Sequence, residues 1–425
     1  TSLFRYFSST LKHIIAMKTI HLILAFAIIL PVLTACKKDN NQTEKEPVIL
    51  EVNEKTAALI VQNNAFGIQF FKEVATQETG NLMLSPLSAS VALTMLLNGC
   101  QENTYEQIHQ MLGYPADMPV DEVNQSYQKL VSQLLAADET INLALSNAVF
   151  YRQGFEAKPP FLTAMQTSFD ANIQALNFAD PQSIETINKW ASDNTNAKIT
   201  KVLEEIDTDA VMFLMNALYF KGEWTKKFDK ANTTNQSFTL ANGTVVQAPT
   251  MNETDMKAIY HSAANWEAVE IPYGRKNFSM VVILPSGQLT DFYQSFGSQE
   301  WQELTTTLDA SNWNEVMVSL PKFKFDYEKF LNDELKQLGM TDAFMPGTAN
   351  LRNISDGDLY VDFVKQNTFV EVNEEGTEAA AVTTVGINEL SMGPMFVANR
   401  PFVFAIRERT SNTLLFIGAV SNPLE

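Results

Sequence analysis

The sequence predicts an α+β fold in one continuous domain, and three observations carry that prediction. Helix-period apolar patterns dominate the first third of the chain; later apolar runs have strand lengths, with helices interspersed irregularly and not as a βαβ array. No Gly/Ser-rich or Pro-rich linker and no internal repeat interrupts residues 53–425. Of the 425 residues 45% are apolar and 19% charged, with 17 Gly and 16 Pro, a composition that supports a large core and excludes the disordered and collagen-like classes.

Leu59, Phe66, Phe70 and Val74 recur at helical spacing. Ser85-Pro86 joins a capping residue to a proline at the first helical position, so SPLSASVALTMLLNG reads as a helix stopping at Gly99. Thr104-Tyr105-Glu106-Gln107 has the form of a capping box and predicts a short helix opening there. Leu143, Leu145, Asn147, Val149 and Tyr151 alternate with Ala144, Ser146, Ala148 and Phe150 at the strand period. Further strands are expected over 279–285, 315–325, 359–372, 401–409 and 413–421, with Ser411-Asn412 as the hairpin turn between the last two. YEKFLNDELKQLGM reads as a further helix, ending at Gly339.

The first 52 residues read differently. From Met17, a basic Lys18, an apolar run over 20–32 and small residues form a signal-peptide pattern, and the run is shorter than the roughly 18 residues of a spanning helix. Leu33-Thr34-Ala35-Cys36 resembles a bacterial lipobox, in which cleavage before Cys36 frees its thiol for acylation. Residues 1–36 are therefore expected to be leader, 37–52 a polar tether and 53–425 the folded domain. On this reading the domain is extracytoplasmic and lipid-anchored; Lys37 and Lys38 after the cysteine point to the outer membrane.

Charge and side-chain inventory exclude several functions. The net charge is −19, and residues 1–36 contribute three basic and no acidic side chains, so the remainder is more acidic still. Phosphate binding needs the opposite sign, which argues against nucleic acid. There are two cysteines and four histidines, with no CxxC, HExxH or clustered Cys/His spacing, so neither metal nor cofactor is expected. Cys100, without a partner once Cys36 is acylated, reads as a buried small hydrophobe. A serine hydrolase would need a base, and His109 and His261 lie near no GxSxG turn.

Four segments then acquire a joint meaning: NLMLSPLSASVALTMLLNG (81–99), NALYFKGEWTKKFD (216–229), FVEVNEEGTEAAAVTT (369–384) and NRPFVFAIRERTSNTLLFIGAVSNP (399–423). In order and spacing this set resembles the serpins, the serine protease inhibitors, over essentially all of 53–425. The resemblance implies helices around three β-sheets with an exposed reactive loop, a monomer, and no enzymatic activity of its own. It also implies a suicide-substrate mechanism, in which a protease forms an acyl-enzyme on the loop and the cut loop inserts into the main sheet as a new strand.

The residues of that loop fit the mechanism. No charge falls between Glu378 and Glu389, and an inserted strand would present Thr377, Ala379, Ala381, Thr383 and Val385 on one face. The hinge is expected to comprise Glu374, Gly376, Thr377, Glu378, Ala379, Ala380 and Ala381, with Gly376 taking the backbone change that insertion requires. Counting forward from Glu374 and back from Pro401 by the family's spacing gives the same scissile bond, Leu390–Ser391, with Glu389 and Met392 as fallbacks. Leu390 suits a serine protease with a hydrophobic specificity pocket, whether chymotrypsin-like, elastase-like or subtilisin-like. Ser85, Ser88 and Asn216 match a polar cluster that holds the main sheet closed, and Gln366 stands where many members have histidine. Trp224 matches the tryptophan where insertion starts, and Lys322 with Glu374 an ion pair there. The alternatives are a non-inhibitory binding or chaperone-like serpin and an inhibitor of papain-like cysteine proteases.

Overall fold

The computed structural model describes residues 46–377 and 393–425, all within the unit Glu46–Glu425. Its elements, in chain order, are α1 Glu54–Ala75, β1 Leu82–Leu84, α2 Pro86–Leu97, α3 Glu102–Met111, α4 Val120–Ala136, β2 Asn142–Arg152, α5 Pro159–Phe169, β3 Asn172–Leu176 and α6 Gln182–Asn194. After these come β4 Met212–Glu223, β5 Thr234–Thr239, β6 Val245–Ser262, β7 Trp266–Pro272, β8 Phe278–Pro285, α7 Leu289–Ser295, α8 Ser298–Asp309, β9 Asn314–Pro321 and β10 Phe323–Phe330. The last are α9 Asn332–Gln337, β11 Lys365–Asn373, β12 Gly376–Thr377, β13 Met395–Val397, β14 Phe402–Glu408 and β15 Thr413–Val420.

Among the described residues hydrogen bonding defines two sheets. One runs β10-β11-β12-β4-β2-β3. The other runs β1-β15-β14-β8-β7-β6-β9-β13, with β5 on β6. Two of the three expected sheets are continuous because β6 is long: residues 245–250 pair with β5, 250–258 with β9 across a register irregularity between Glu253 and Met256, and 259–262 with β7. β8, β14 and β15 are buried along their whole length, and their sequences are apolar on both faces and not alternating, except at Ser279, Arg407, Glu408 and Thr413. On one face of the six-stranded sheet α6 packs Ile187 and Ala191 against Phe150 and Phe213. The main core, with α1 and α2, fills the other face.

Local signals explain several elements. Ser85 caps α2 by accepting the Ser88 N–H at 3.2 Å, with Pro86 at the first position. Asn412, at φ 58°, makes the β14–β15 turn. Cys100 is buried, and burial pushes its thiol far above the ordinary range.

Other expectations are corrected. α3 begins at Glu102, and the Thr104 hydroxyl accepts from the Asn350 N–H instead of capping a helix. The run 315–325 is two strands, because Lys322 separates β9 from β10 and they enter different sheets. Tyr327–Phe330, expected as helix, is strand: pairing with β11 as far as Phe330 opposite Lys365 overrides the helical spacing and leaves only Asn332–Gln337 for α9. β11 starts at Lys365, not at Leu359. Of the segment expected as tether, only residues 46–52 are described, and these are bonded to the body before α1: the Val48 N–H donates to Asn277 Oδ1 at 2.8 Å and the Leu50 N–H to Thr410 Oγ1 at 3.1 Å.

Candidate functional site

The acidic pair Glu374-Glu375 forms a reversal at the top of the six-stranded sheet. β11 ends at Asn373 and the chain returns as β12, with Asn373 opposite Gly376 and Val372 opposite Thr377. The other edge of β12 pairs with β4, Gly376 opposite Glu223 and Thr377 opposite Gly222. β4 and β11 are not paired with each other; β12 alone joins them in the ladder.

Only glycine fits the first position of β12. Gly376 has φ +147°, and an added Cβ would collide with the Gly222 carbonyl oxygen and lie 2.7 Å from Glu223 Cα. Thr377, 5% exposed, turns into the core and meets the Tyr273 hydroxyl at 2.7 Å. Trp224 stacks on Tyr273 with ring centroids 4.4 Å apart, and its indole N–H donates to the Asn373 carbonyl at 2.9 Å. Backbone N–H groups of Trp224 and Phe228 donate to the carbonyls of Glu375 and Glu374 at 2.9 and 3.0 Å.

Both glutamates are 4% exposed, so each carboxylate needs compensation. Lys322 Nζ lies 2.9 Å from Glu374, whose carboxylate also accepts the Thr233 hydroxyl at 2.8 Å. Lys227 and Lys230 lie 2.8 and 3.0 Å from Glu375. Burial opposes ionisation of both groups, but these donors and cations prevail and hold both carboxyls below the usual range.

Lower in the sheet the expected polar cluster is only partly assembled. The Ser85 N–H donates to Gln366 Oε1 and Gln366 Nε2 donates back to the Ser85 carbonyl, each at 2.9 Å. Ser85 Oγ donates to the Leu415 carbonyl at 2.9 Å, while Ser88 lines the cleft nearby. Asn216 does not join them. Its amide donates to Asn147 Oδ1 at 2.6 Å, and its buried Oδ1 has no hydrogen-bond partner. The cluster therefore ties β11 to the start of α2 and does not bridge β4 and β11, since those strands are themselves unpaired. Between them lies a cavity of about 640 Å³, lined by Ser88, Leu93, Phe213, Asn216, Gln366 and Thr368 among others.

The structure thus places Glu374, Gly376, Thr377, Trp224 and Lys322 together at the top, and Ser85, Ser88 and Gln366 together below, with Asn216 across the cleft. Glu378, Ala379, Ala380, Ala381, Leu390, Ser391 and Cys36 lie outside the described residues. Sequence reasoning passed over Glu375, Lys227, Lys230, Thr233 and Tyr273. Its one available signal was KKFDK at 226–230, a basic run in an acidic chain. His109 is buried with Nε2 3.0 Å from the Met118 carbonyl, and His261 lies against Trp266. Among the described residues no three His, Cys, Asp or Glu are grouped to hold a metal, and no helix is long and apolar enough to cross a membrane.

Comparison with known proteins gives concordant matches. The family model for serpin (serine protease inhibitor) matches residues 61–423. A serpin-like protein of Methanosarcina acetivorans is 30% identical over 94% of this chain and 97% of its own. The leukocyte elastase inhibitor of Xenopus laevis is 33% identical over 84% of this chain and 97% of its own. Among solved structures, the thermophilic serpin tengpin in its native state superposes with TM-score 0.79 at 30% identity, covering 89% of this chain and 100% of that one.

Proposed function

The chain belongs to the serpin family, and on that premise we propose that it inhibits a serine protease as a suicide substrate and catalyses no reaction itself. The observation that carries the reading is β12: the hinge residues Gly376 and Thr377 already occupy a strand position between β4 and β11. A strand continuing that register would run down the cleft antiparallel to both neighbours. It would set Thr383 opposite both Asn216 and Gln366, where its inward hydroxyl supplies the donor that Asn216 Oδ1 lacks. Ala379, Ala381 and Val385 would share its face, so no charge enters the core.

In this reading the protease serine oxygen attacks the Leu390 carbonyl carbon, the bond to Ser391 breaks, and the Ser391 amine leaves with a proton. The protease stays attached through an ester on Leu390. Insertion then adds ladder hydrogen bonds worth roughly 1 kcal/mol each and buries the apolar face, a gain withheld before cleavage by a kinetic barrier. Leu390 selects a hydrophobic primary pocket, chymotrypsin-like, elastase-like or subtilisin-like. A monomer suffices, and acylation of Cys36 would hold it to the cell envelope, in the outer membrane.

Mixing residues 37–425 with a chymotrypsin-like protease tests this. A complex that survives boiling in detergent, with release of a fragment comprising 391–425, is the expected result. Leu390→Arg should redirect the arrest to a trypsin-like enzyme. Cleavage with no stable complex would overturn inhibition in favour of a binding role; arrest of a papain-like enzyme alone would reassign the target class. For the anchor, Cys36→Ser should move the full chain out of the detergent phase, and an unchanged partition would refute lipidation.

A further inference from the structure

The reversal at Glu374-Glu375 lacks the chemistry of a hairpin turn. Two-residue hairpin loops are made by residues at positive φ, typically Asn-Gly or a glycine at the first position. Here both loop residues are glutamate and neither has positive φ; the first glycine, Gly376, follows the reversal. Contacts distant in sequence must therefore hold the turn closed. The Glu375 N–H donates to Asn373 Oδ1 at 3.0 Å, which is local. Glu374 is paired to Lys322, beside the β10–β11 ladder that already fixes Val372 opposite Phe323. Glu375 reaches the other way: Lys227 and Lys230 both lie on the segment that follows β4. Lys227 also pairs with Glu223 at 2.8 Å, so two carboxylates and two ammonium groups form a balanced chain on the β4 side of the cleft.

We infer that Glu375, through Lys227 and Lys230, is the positioning residue that keeps Gly376 and Thr377 docked between β4 and β11 before the loop is cut. Its carboxylate ties the end of β11 to the segment after β4, and Gly376 then has no freedom to withdraw. Residues 374–377 keep their places when a strand grows below them, so the same latch is the fixed point of insertion. This second role rests on the inhibitory reading; the docking role does not.

Hydrogen exchange of the intact chain without protease, followed in a peptide covering 372–377, tests docking directly. Glu375→Gln and the pair Lys227→Met/Lys230→Met should each speed exchange at 376 and 377 by about tenfold, the scale of a lost charge-assisted contact. Combining all three changes should add nothing further, because they remove one interaction. Glu374→Gln should speed exchange less. Unchanged exchange in Glu375→Gln, or additive effects in the triple variant, would overturn the latch. With protease present, Glu375→Gln should raise the amount of inhibitor consumed per protease arrested while leaving the rate of first cleavage unchanged, a split that general destabilisation does not produce. A wild-type chain that never arrests protease would sink the inhibitory reading and leave the exchange result standing.

Discussion

The Tyr273 hydroxyl and the Thr377 hydroxyl lie 2.7 Å apart, and this contact fixes which face of β12 enters the core. Tyr273 is fully buried, stacked under Trp224, so its one polar atom needs a partner, and Thr377 supplies it. Because strand side chains alternate, the inward direction of Thr377 assigns Ala379, Ala381, Thr383 and Val385 to the same face of any strand continuing from it.

On the proposed mechanism, Thr377→Arg should leave the chain a substrate of the protease and not its inhibitor. The guanidinium would face Tyr273 in a site 5% exposed, and a buried unpaired charge costs several kcal/mol. Tyr273→Phe is the milder probe, leaving the Thr377 hydroxyl unpaired at a cost of ~1–3 kcal/mol. Cleavage assays should show Leu390–Ser391 still cut in both variants, with complex yield abolished in the first and reduced in the second.

Gly376→Ala should undock the hinge while sparing the rest of the fold. The new methyl would meet the Gly222 carbonyl oxygen, a backbone atom on the β4 strand that pairs with β12. Exchange in the 372–377 peptide should rise to that of an unpaired segment, with thermal unfolding of the body little changed. Normal protection at 376 and 377 would show that β4 gives way.

Acid should release the hinge. Glu374 and Glu375 are held below the ordinary carboxylate value of ~4.3, so their ionised forms stabilise docking above that value. That stability is lost as pH falls through their lowered values. Lys227 has the opposite sign: burial alone would lower it, but Glu223 and Glu375 raise it, so its share persists below ~10.4 and is lost as pH rises through its raised value. The emission difference between wild type and Trp224→Phe should therefore be flat near neutrality and change at both extremes. A transition near pH 6.5 would implicate a histidine instead.

Thr383→Val should leave the uncut protein unaltered and weaken the inserted form. Valine keeps the shape but offers no donor to Asn216 Oδ1, so a buried acceptor stays unpaired at ~1–3 kcal/mol. Cleaved wild type should unfold at higher denaturant than cleaved Thr383→Val. Equal midpoints would place another residue opposite Asn216.

The α+β class and most elements were legible in the sequence, because a helix cap such as Ser85-Pro86 or an apolar run such as Phe278–Pro285 is a local signal. Of the expected hinge, Gly376 and Thr377 are described, as β12, while Glu378 and the small side chains after it lie outside the described residues. Pairing between distant segments was not. Tyr327–Phe330 became strand because β11 lay beside it, and Asn216 turned to Asn147 because β4 and β11 stand unpaired. Glu375 looked like a solvated charge until the fold brought Lys227 and Lys230 to it from far back in the sequence. Sequence determines what each segment can bury; the tertiary structure decides which charges meet, because that depends on register and approach between strands that no local pattern encodes.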